Sequence, residues 1–370
     1  MDPAELVALA GRLLSCPVAP FYEAGVRAVV ETVCSEHGLD CRRDRYGNVL
    51  VHLGDPSVGR PLVLAAHMDH PGFEVVRALG PKGWVVQFNG GVPDAYFRPG
   101  LPLRLWPGDI RVRLGRPVGA GKWFEAHAIS RRRKDSEPSH KAAPRFGVWD
   151  VEEFAVRRGR IHGRACDDLV GVACVLATLI ELKRSARRTF VIGVLSRAEE
   201  VGFQGALAVA AERVIPKDSL VISLETSREL PPAKMGKGVI LRVGDRTSVF
   251  DAAAMRFLGE VASGLASATD GRFHCQRALM PGGTCEATAY QGYGYQTGAL
   301  CVALGNYHNC HPNGSIAAEY VDAGDACSMV ELLVAAAREI PAFARHVGRL
   351  PAQLDGLLRK SRRRLKDRSE

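Results

Sequence analysis

Five short runs constrain the fold of this chain most: "NVLVHL", "PLVLAAHMD", "TFVIGVLS", "SLVISLE" and "GALCVALG". Each carries a continuous apolar, β-branched stretch. Continuity rather than in–out alternation is the mark of strands covered on both faces. Between them lie helical patterns: residues 20–37, "DDLVGVACVLATLIELKR", "QGALAVAAERV" and "DAAAMRFLGEVASGLA". Strands alternating with helices predict an α/β fold with a central, mainly parallel sheet flanked by helices. Ligand sites in such sheets gather beyond the carboxyl ends of the strands.

One region breaks the rhythm. From about Phe73 to about Ile161 the chain is rich in Gly, Pro and Arg, with short strand-like pieces such as "GWVVQF", "LPLRLW" and "IRVRLG" and hardly any helix. This predicts a small β domain, residues 73–160, inserted into an α/β domain made of residues 1–72 and 161–345. A last helix, "YVDAGDACSMVELLVAAAREI", is expected to end near Pro341, and residues 346–370 read as a basic amphipathic tail.

Composition narrows the classes. The chain has 370 residues, 46% hydrophobic and 24% charged, as in a folded soluble protein. No apolar run approaches the ~18–20 residues that span a bilayer, so no membrane partner is expected. The start reads as a helix opened by Asp2 and Pro3, not as a signal peptide. Ten cysteines are scattered singly, several in apolar runs (Cys174, Cys301), which suits reduced thiols in a cytoplasm. Much of the net charge of +9 sits in "RRRK" from Arg131 and in the tail "LLRKSRRRLKDRSE". Neither run has the interleaved aromatics of a nucleic-acid stacking platform, so solvated surface is the better reading.

Polar residues recur where the strands end. His67 follows "PLVLAA", with Asp69 two residues on, placed to orient an imidazole. Asp167 and Asp168 precede a helix. One carboxylate suffices for a cap; two adjacent ones repel unless a cation is near. Glu199 and Glu200 repeat the arrangement, Glu225 ends "SLVISLE", and "LGNYHNCHPNG" supplies His308 and His311. Imidazole and carboxylate without paired cysteine suit zinc, or cobalt or manganese. The count suits two divalent ions sharing one carboxylate and a bridging hydroxide, with another carboxylate left as general base.

At these residues the sequence resembles the dinuclear-zinc aminopeptidases of the TET and glutamyl aminopeptidase type, the endoglucanase-M-like group. The resemblance rests on "HMDHPGFEV", "GRACDDLVG", "SRAEEVGFQGA", "GWVVQFNGGV" and "GGTCEA", and runs from about Leu6 to about Ile340. It implies a metal-dependent hydrolase of peptide bonds, an aminopeptidase on small peptides working as a homo-oligomer through a dimerisation or lid insert. Carried over, His67 and Glu225 bind the first metal, Asp69 orients His67, and Asp167 bridges, followed by a cis peptide to Asp168. Glu200 and His308 then complete the second metal, and Glu199 is the general base. His311 is the alternative to His308. The family usually carries Asp where this chain has Glu225, and its late segment is normally Arg-Tyr-x-His-Ser-Pro rather than "NYHNCHP". The longer carboxylate leaves open a carboxypeptidase or deacylase acting on acyl-amino acids. A non-catalytic metal-binding scaffold is the reading from a different class, and the intact Glu199–Glu200 pair argues against it.

Overall fold

A computed structural model describes residues 2–129, 143–185 and 188–365; the "RRRK" run lies outside them. The strands expected from sequence form the middle of one large sheet. In spatial order its main path is Asp40–Arg43, Val49–Gly54, Phe190–Ser196, Leu62–His67, Leu220–Arg228, Gln296–Gly305, Glu319–Asp322, Arg160–Gly163 and Phe154–Arg157. Four neighbours in its centre, from Phe190–Ser196 to Gln296–Gly305, run parallel, with Ser196 opposite His67 and Glu225 opposite Cys301. The flanks along this path pair antiparallel. A further strand, Val239–Gly244, pairs antiparallel with Gln296–Gly305 and parallel with Cys275–Leu279.

Helices cover both faces, which explains the unbroken apolar runs. One face packs against Pro3–Leu14, Ala24–Glu36, Cys166–Arg184, Ala252–Ala268 and Ala323–Glu339. The other meets the short helices Gln204–Ala211 and Glu286–Gly292. Cys166–Arg184 is apolar on nearly every side and buried along most of its length, as a helix wedged between the sheet and two other helices must be.

The insert is a closed six-stranded barrel: Gly72–Gly80, Gly83–Asn89, Trp123–Ala128, Ile110–Pro117, Pro102–Trp106 and Phe146–Trp149, closing through Phe73 opposite Gly147. Phe73, Phe88, Phe97 and Trp149 fill it with ring centroids 4.9–5.8 Å apart. Closure leaves no free strand edges. The strand Phe154–Arg157, within the range expected for the insert, pairs instead into the large sheet.

Two expectations near the C-terminus differ from the structure. "EYVD" is a strand, Glu319–Asp322, and the helix starts only at Ala323, where the Asp322 carboxylate accepts the Gly324 and Asp325 amides. Pro341 sits in a short 3-10 turn, Ile340–Ala342, and a further helix, Phe343–Leu365, follows at once. Proline is tolerated in a first turn because the N–H it lacks has no helical partner there.

Candidate metal centre

The parallel strands deliver their terminal side chains to one cleft of about 400 Å³, lined by His67, Asp167, Glu199, Glu200, Glu225 and His308 among others. His67 ends its strand, Glu225 lies late in a neighbouring one, and the Glu199–Glu200 pair follows the strand between them and the sheet flank. Asp167 stands at the mouth of the long buried helix. Its backbone is not helical (φ −85°, ψ 104°), and its peptide bond to Asp168 is cis. Asp168 turns inward, and Gly171 permits this: a Cβ there would lie 2.2 Å from the Asp168 carboxylate.

Asp167 lies between the two imidazoles. Its Oδ1 is 3.5 Å from His67 Nε2 and its Oδ2 is 3.5 Å from His308 Nε2. Glu225 Oε2 is 4.0 Å from His67 Nε2, and Glu200 Oε1 is 3.1 Å from His308 Nε2. Two ligand-type triads result, His67–Asp167–Glu225 and Asp167–Glu200–His308, each with its candidate atoms within 4.8 Å of one another. A third triad, His67–Glu199–Glu200, meets the same criterion and places Glu199 beside both. His311 is not part of these triads; it sits in a turn where its Nδ1 accepts the Asn313 amide.

The charges fit cations. Four carboxylates face two imidazoles, all with little solvent exposure, and two divalent ions would balance them. Asp167 Oδ1 and Glu225 Oε1 are buried without a hydrogen-bond partner, as oxygens awaiting a metal would be. Burial raises the Glu225 carboxyl to about 8, with His67 opposing and Asp167 reinforcing the shift. Burial also pushes Glu199 well up, aided by the Glu225 and Glu200 charges against the opposing pull of His67. Burial opposes protonation of His67, but Glu199, Asp167 and Asp69 outweigh it and hold the imidazole well above its usual range. Glu200 and Asp167 do the same for His308. Asp167 itself is held low: burial works against this, and the His308 and His67 contacts prevail.

The surrounding contacts fix these groups. The Asp69 carboxylate accepts the backbone amides of Glu199 (2.9 Å) and Glu200 (3.2 Å). His67 Nδ1 is nearer the Asp69 backbone carbonyl (3.1 Å) than its carboxylate (3.6 Å). Asp69 thus ties the His67 loop to the Glu199–Glu200 loop as well as facing the imidazole. His308 Nδ1 lies 2.9 Å from the Gly91 carbonyl, which comes from the barrel insert. The sequence alone gives no role to Glu319, Asn309 or His70, although His70 stands with His67 and Asp69 at the same strand end. Fully buried Glu319 accepts the amides of both Asp167 (3.0 Å) and His308 (2.7 Å). His70 bridges the Asp167 carbonyl and Asn309 Oδ1. The signals for them were a second His in "HMDH" and a lone Glu in the apolar context of "AAEYV".

Comparisons with known proteins bear on the fold and on the segment that carries these residues. The model of the M42 glutamyl aminopeptidase family matches residues 141–322, which include Asp167, Glu199, Glu200, Glu225 and His308. The TET1 peptidase of Pyrococcus horikoshii, described as assembling into a tetrahedron or a large octahedral shell, superposes with a TM-score of 0.70 at 20% identity, over 91% of this chain and 99% of that one. An aminopeptidase from Desulfurococcus kamchatkensis gives 0.72 at 20% identity, over 93% and 98%. A TET aminopeptidase from a marine-sediment Thaumarchaeota archaeon gives 0.72 at 19%, over 90% and 96%. At these identities what they share with the chain is the fold, and the family match adds the segment that carries most of the site. The resemblance read from the sequence holds: residues 141–322 match the M42 glutamyl aminopeptidase family, and the fold of the chain is that of the TET peptidases.

Proposed function

We propose that the chain is a two-metal aminopeptidase acting on small peptides. One observation carries this reading: the two oxygens of a single carboxylate, Asp167, each face an imidazole at 3.5 Å, His67 on one side and His308 on the other. His67, Asp167 and Glu225 would hold one divalent ion, and Asp167, Glu200 and His308 the other. Zinc suits this imidazole–carboxylate set, with cobalt or manganese as alternatives. When bound, the ions supply Lewis acidity toward the scissile carbonyl and lower the pKa of a water. Glu199 is the carboxylate left over once both triads are assigned. It takes a proton from the attacking water and gives it to the leaving amine. Asp69 keeps Glu199 and Glu200 aimed through their amides.

The barrel insert is the natural surface for self-association, and it already reaches the site through the Gly91 carbonyl. A homo-oligomer in the cytoplasm is part of the proposal. No described helix is long and apolar enough to cross a membrane. A second reading, an amidohydrolase of acyl-amino acids or a carboxypeptidase, is favoured by Glu225 and by Arg228, Arg242 and Arg246 in the cleft wall, which suit a substrate carboxylate. The metal-loaded protein screened against free-amine peptides, N-blocked peptides and acyl-amino acids separates the two. Turnover of free-amine peptides alone supports the aminopeptidase, and turnover of the N-blocked or acylated set alone supports the second reading.

A further inference from the structure

The terminal helix Phe343–Leu365 presents a surface that the peptidase site does not use. Its apolar residues fall at helical spacing on one stripe: Phe343, Val347, Leu350, Leu354, Leu357, Leu358 and Leu365. The first turns of that stripe are docked. Phe343 lies 5.2 Å and His346 5.5 Å from the Phe257 ring, Arg256 donates to the Val347 carbonyl, and Arg349 pairs with Glu260 at 2.8 Å. From Leu350 onward the stripe runs off the body of the protein. Leu350, Leu354, Leu357, Leu358 and Leu365 are 40–71% exposed. The nine residues of helix from Leu350 to Leu358 at 1.5 Å each give an uncovered apolar edge of roughly 14 Å, and Leu365 continues the line beyond Ser361. A water-facing leucine stripe of this length is not expected on a monomeric surface without an occupant.

The charge around the stripe says what kind of occupant fits. Arg359, Lys360 and Arg362 flank and back it, with Asp355 the one acid between Leu350 and Leu365. Among the described residues these three cations have no ion-pair partner, whereas the earlier Arg345 and Arg349 pair with Glu339 and Glu260. A second copy of the helix laid on the stripe would set these cations against their own kind. From Leu350 on the stripe holds Leu350, Leu354, Leu357 and Leu358, then Ser361 and Leu365, with none of the Trp, Tyr or central Arg anchors that dominate protein interfaces. The cations surround most of the non-leucine circumference. A discrete acidic partner would neutralise only those beside it, whereas the potential of an anionic bilayer acts at once on the cations along both flanks of the stripe.

We infer that this helix is an interfacial anchor that lays its leucine stripe into an anionic lipid surface and holds the peptidase at a membrane without spanning it. The proposal departs from the expectation of no membrane partner, which rested only on the lack of a spanning segment. The inference is independent of the metal chemistry.

The test is co-sedimentation of the full-length, metal-loaded protein with vesicles of phosphatidylcholine alone and of phosphatidylcholine with phosphatidylglycerol. Retention on the anionic vesicles should exceed that on neutral ones by about tenfold or more and should fall steeply with added salt. Leu354→Gln with Leu358→Gln should cut retention by about tenfold or more through lost apolar burial. Arg359→Glu with Lys360→Glu should abolish the anionic preference. Both variants should keep the thermal midpoint and the peptidase rate, since none of these residues touches the cleft. Equal retention on both vesicle types, or retention unchanged in the leucine variant, overturns the inference. So does a smaller species in sedimentation without lipid when residues 350–370 are removed, because the stripe would then be covering a second copy.

Discussion

Asp69→Asn is the most informative single change near the site, because it alters one atom at a junction of three site residues. The Asp69 carboxylate accepts two amides, a buried one from Glu199 at 2.9 Å and a partly buried one from Glu200 at 3.2 Å. An asparagine offers one oxygen. If that oxygen keeps the shorter bond, the new NH2 group faces the Glu200 N–H, donor against donor. The loss is one hydrogen bond to a charged acceptor, about 1.5–3 kcal/mol, and the stranded N–H adds about 1–3 kcal/mol. Partial relaxation of the loop brings the expected destabilisation to roughly 2–4 kcal/mol. The same change loosens Glu200 and weakens the hold on His67, so metal affinity should fall by about 10–100-fold. Urea unfolding of the metal-free protein reads the first quantity, and a competitive chelator titration reads the second. If both are unchanged, Asp69 carries neither the loop nor the imidazole and the reasoning about this junction fails. A stability loss with unchanged metal affinity would leave Asp69 a purely structural tie.

Other consequences are sharper in kinetics and in pH. Glu199→Gln keeps size and hydrogen bonding but not basicity. Its turnover should drop by roughly 10²–10⁴-fold or more at unchanged metal content, and near-wild-type turnover would remove Glu199 from proton transfer. Glu225 in the metal-free fold titrates at about 8, against about 4.5 unperturbed. Between those values the folded state holds a proton that the unfolded state has released, so stability is greatest below about 4.5 and is lost as pH rises toward 8. His67 and His308, also raised, act in the same direction. The thermal midpoint of chelator-treated protein should therefore decline from pH 5 to pH 8, while metal-loaded protein does not follow it. A rising midpoint in the chelated sample would contradict the charge arrangement described for the cleft.

Much of the site was legible because strand ends advertise themselves. An apolar run that stops at His67 or Glu225 has a physical reason to present a polar group there, since the carboxyl edge of a parallel sheet is where ligands gather. Paired acids such as Glu199–Glu200 exceed what capping a helix requires. Glu319 was not legible for the opposite reason. It is one acid in a four-residue strand, and only the folded chain shows that its two oxygens receive the amides of Asp167 and His308. The rest of its strand reads as the start of a helix because the periodic pattern after Ala323 extends back through "YVD" without a break. The antiparallel flanks of the sheet were equally hidden, since strand direction depends on which neighbour is met and not on composition. His308 could be preferred over His311 because a strand end fixes a side chain better than a turn. The structure gives His308 a ring nitrogen in contact with the Gly91 carbonyl, a partner more than 200 residues away in sequence that no local pattern encodes.

The central claim is that Asp167 is shared between two metal positions that differ in their remaining ligands. The measurement that tests it most directly is metal content per chain after equilibrium dialysis, by elemental mass spectrometry, on the wild type and on His308→Ala and His311→Ala. The account predicts about two ions for the wild type, about one for His308→Ala and about two for His311→Ala. Wild-type protein that holds no more than one ion, or a His311→Ala variant that sheds metal while His308→Ala retains both, would contradict it.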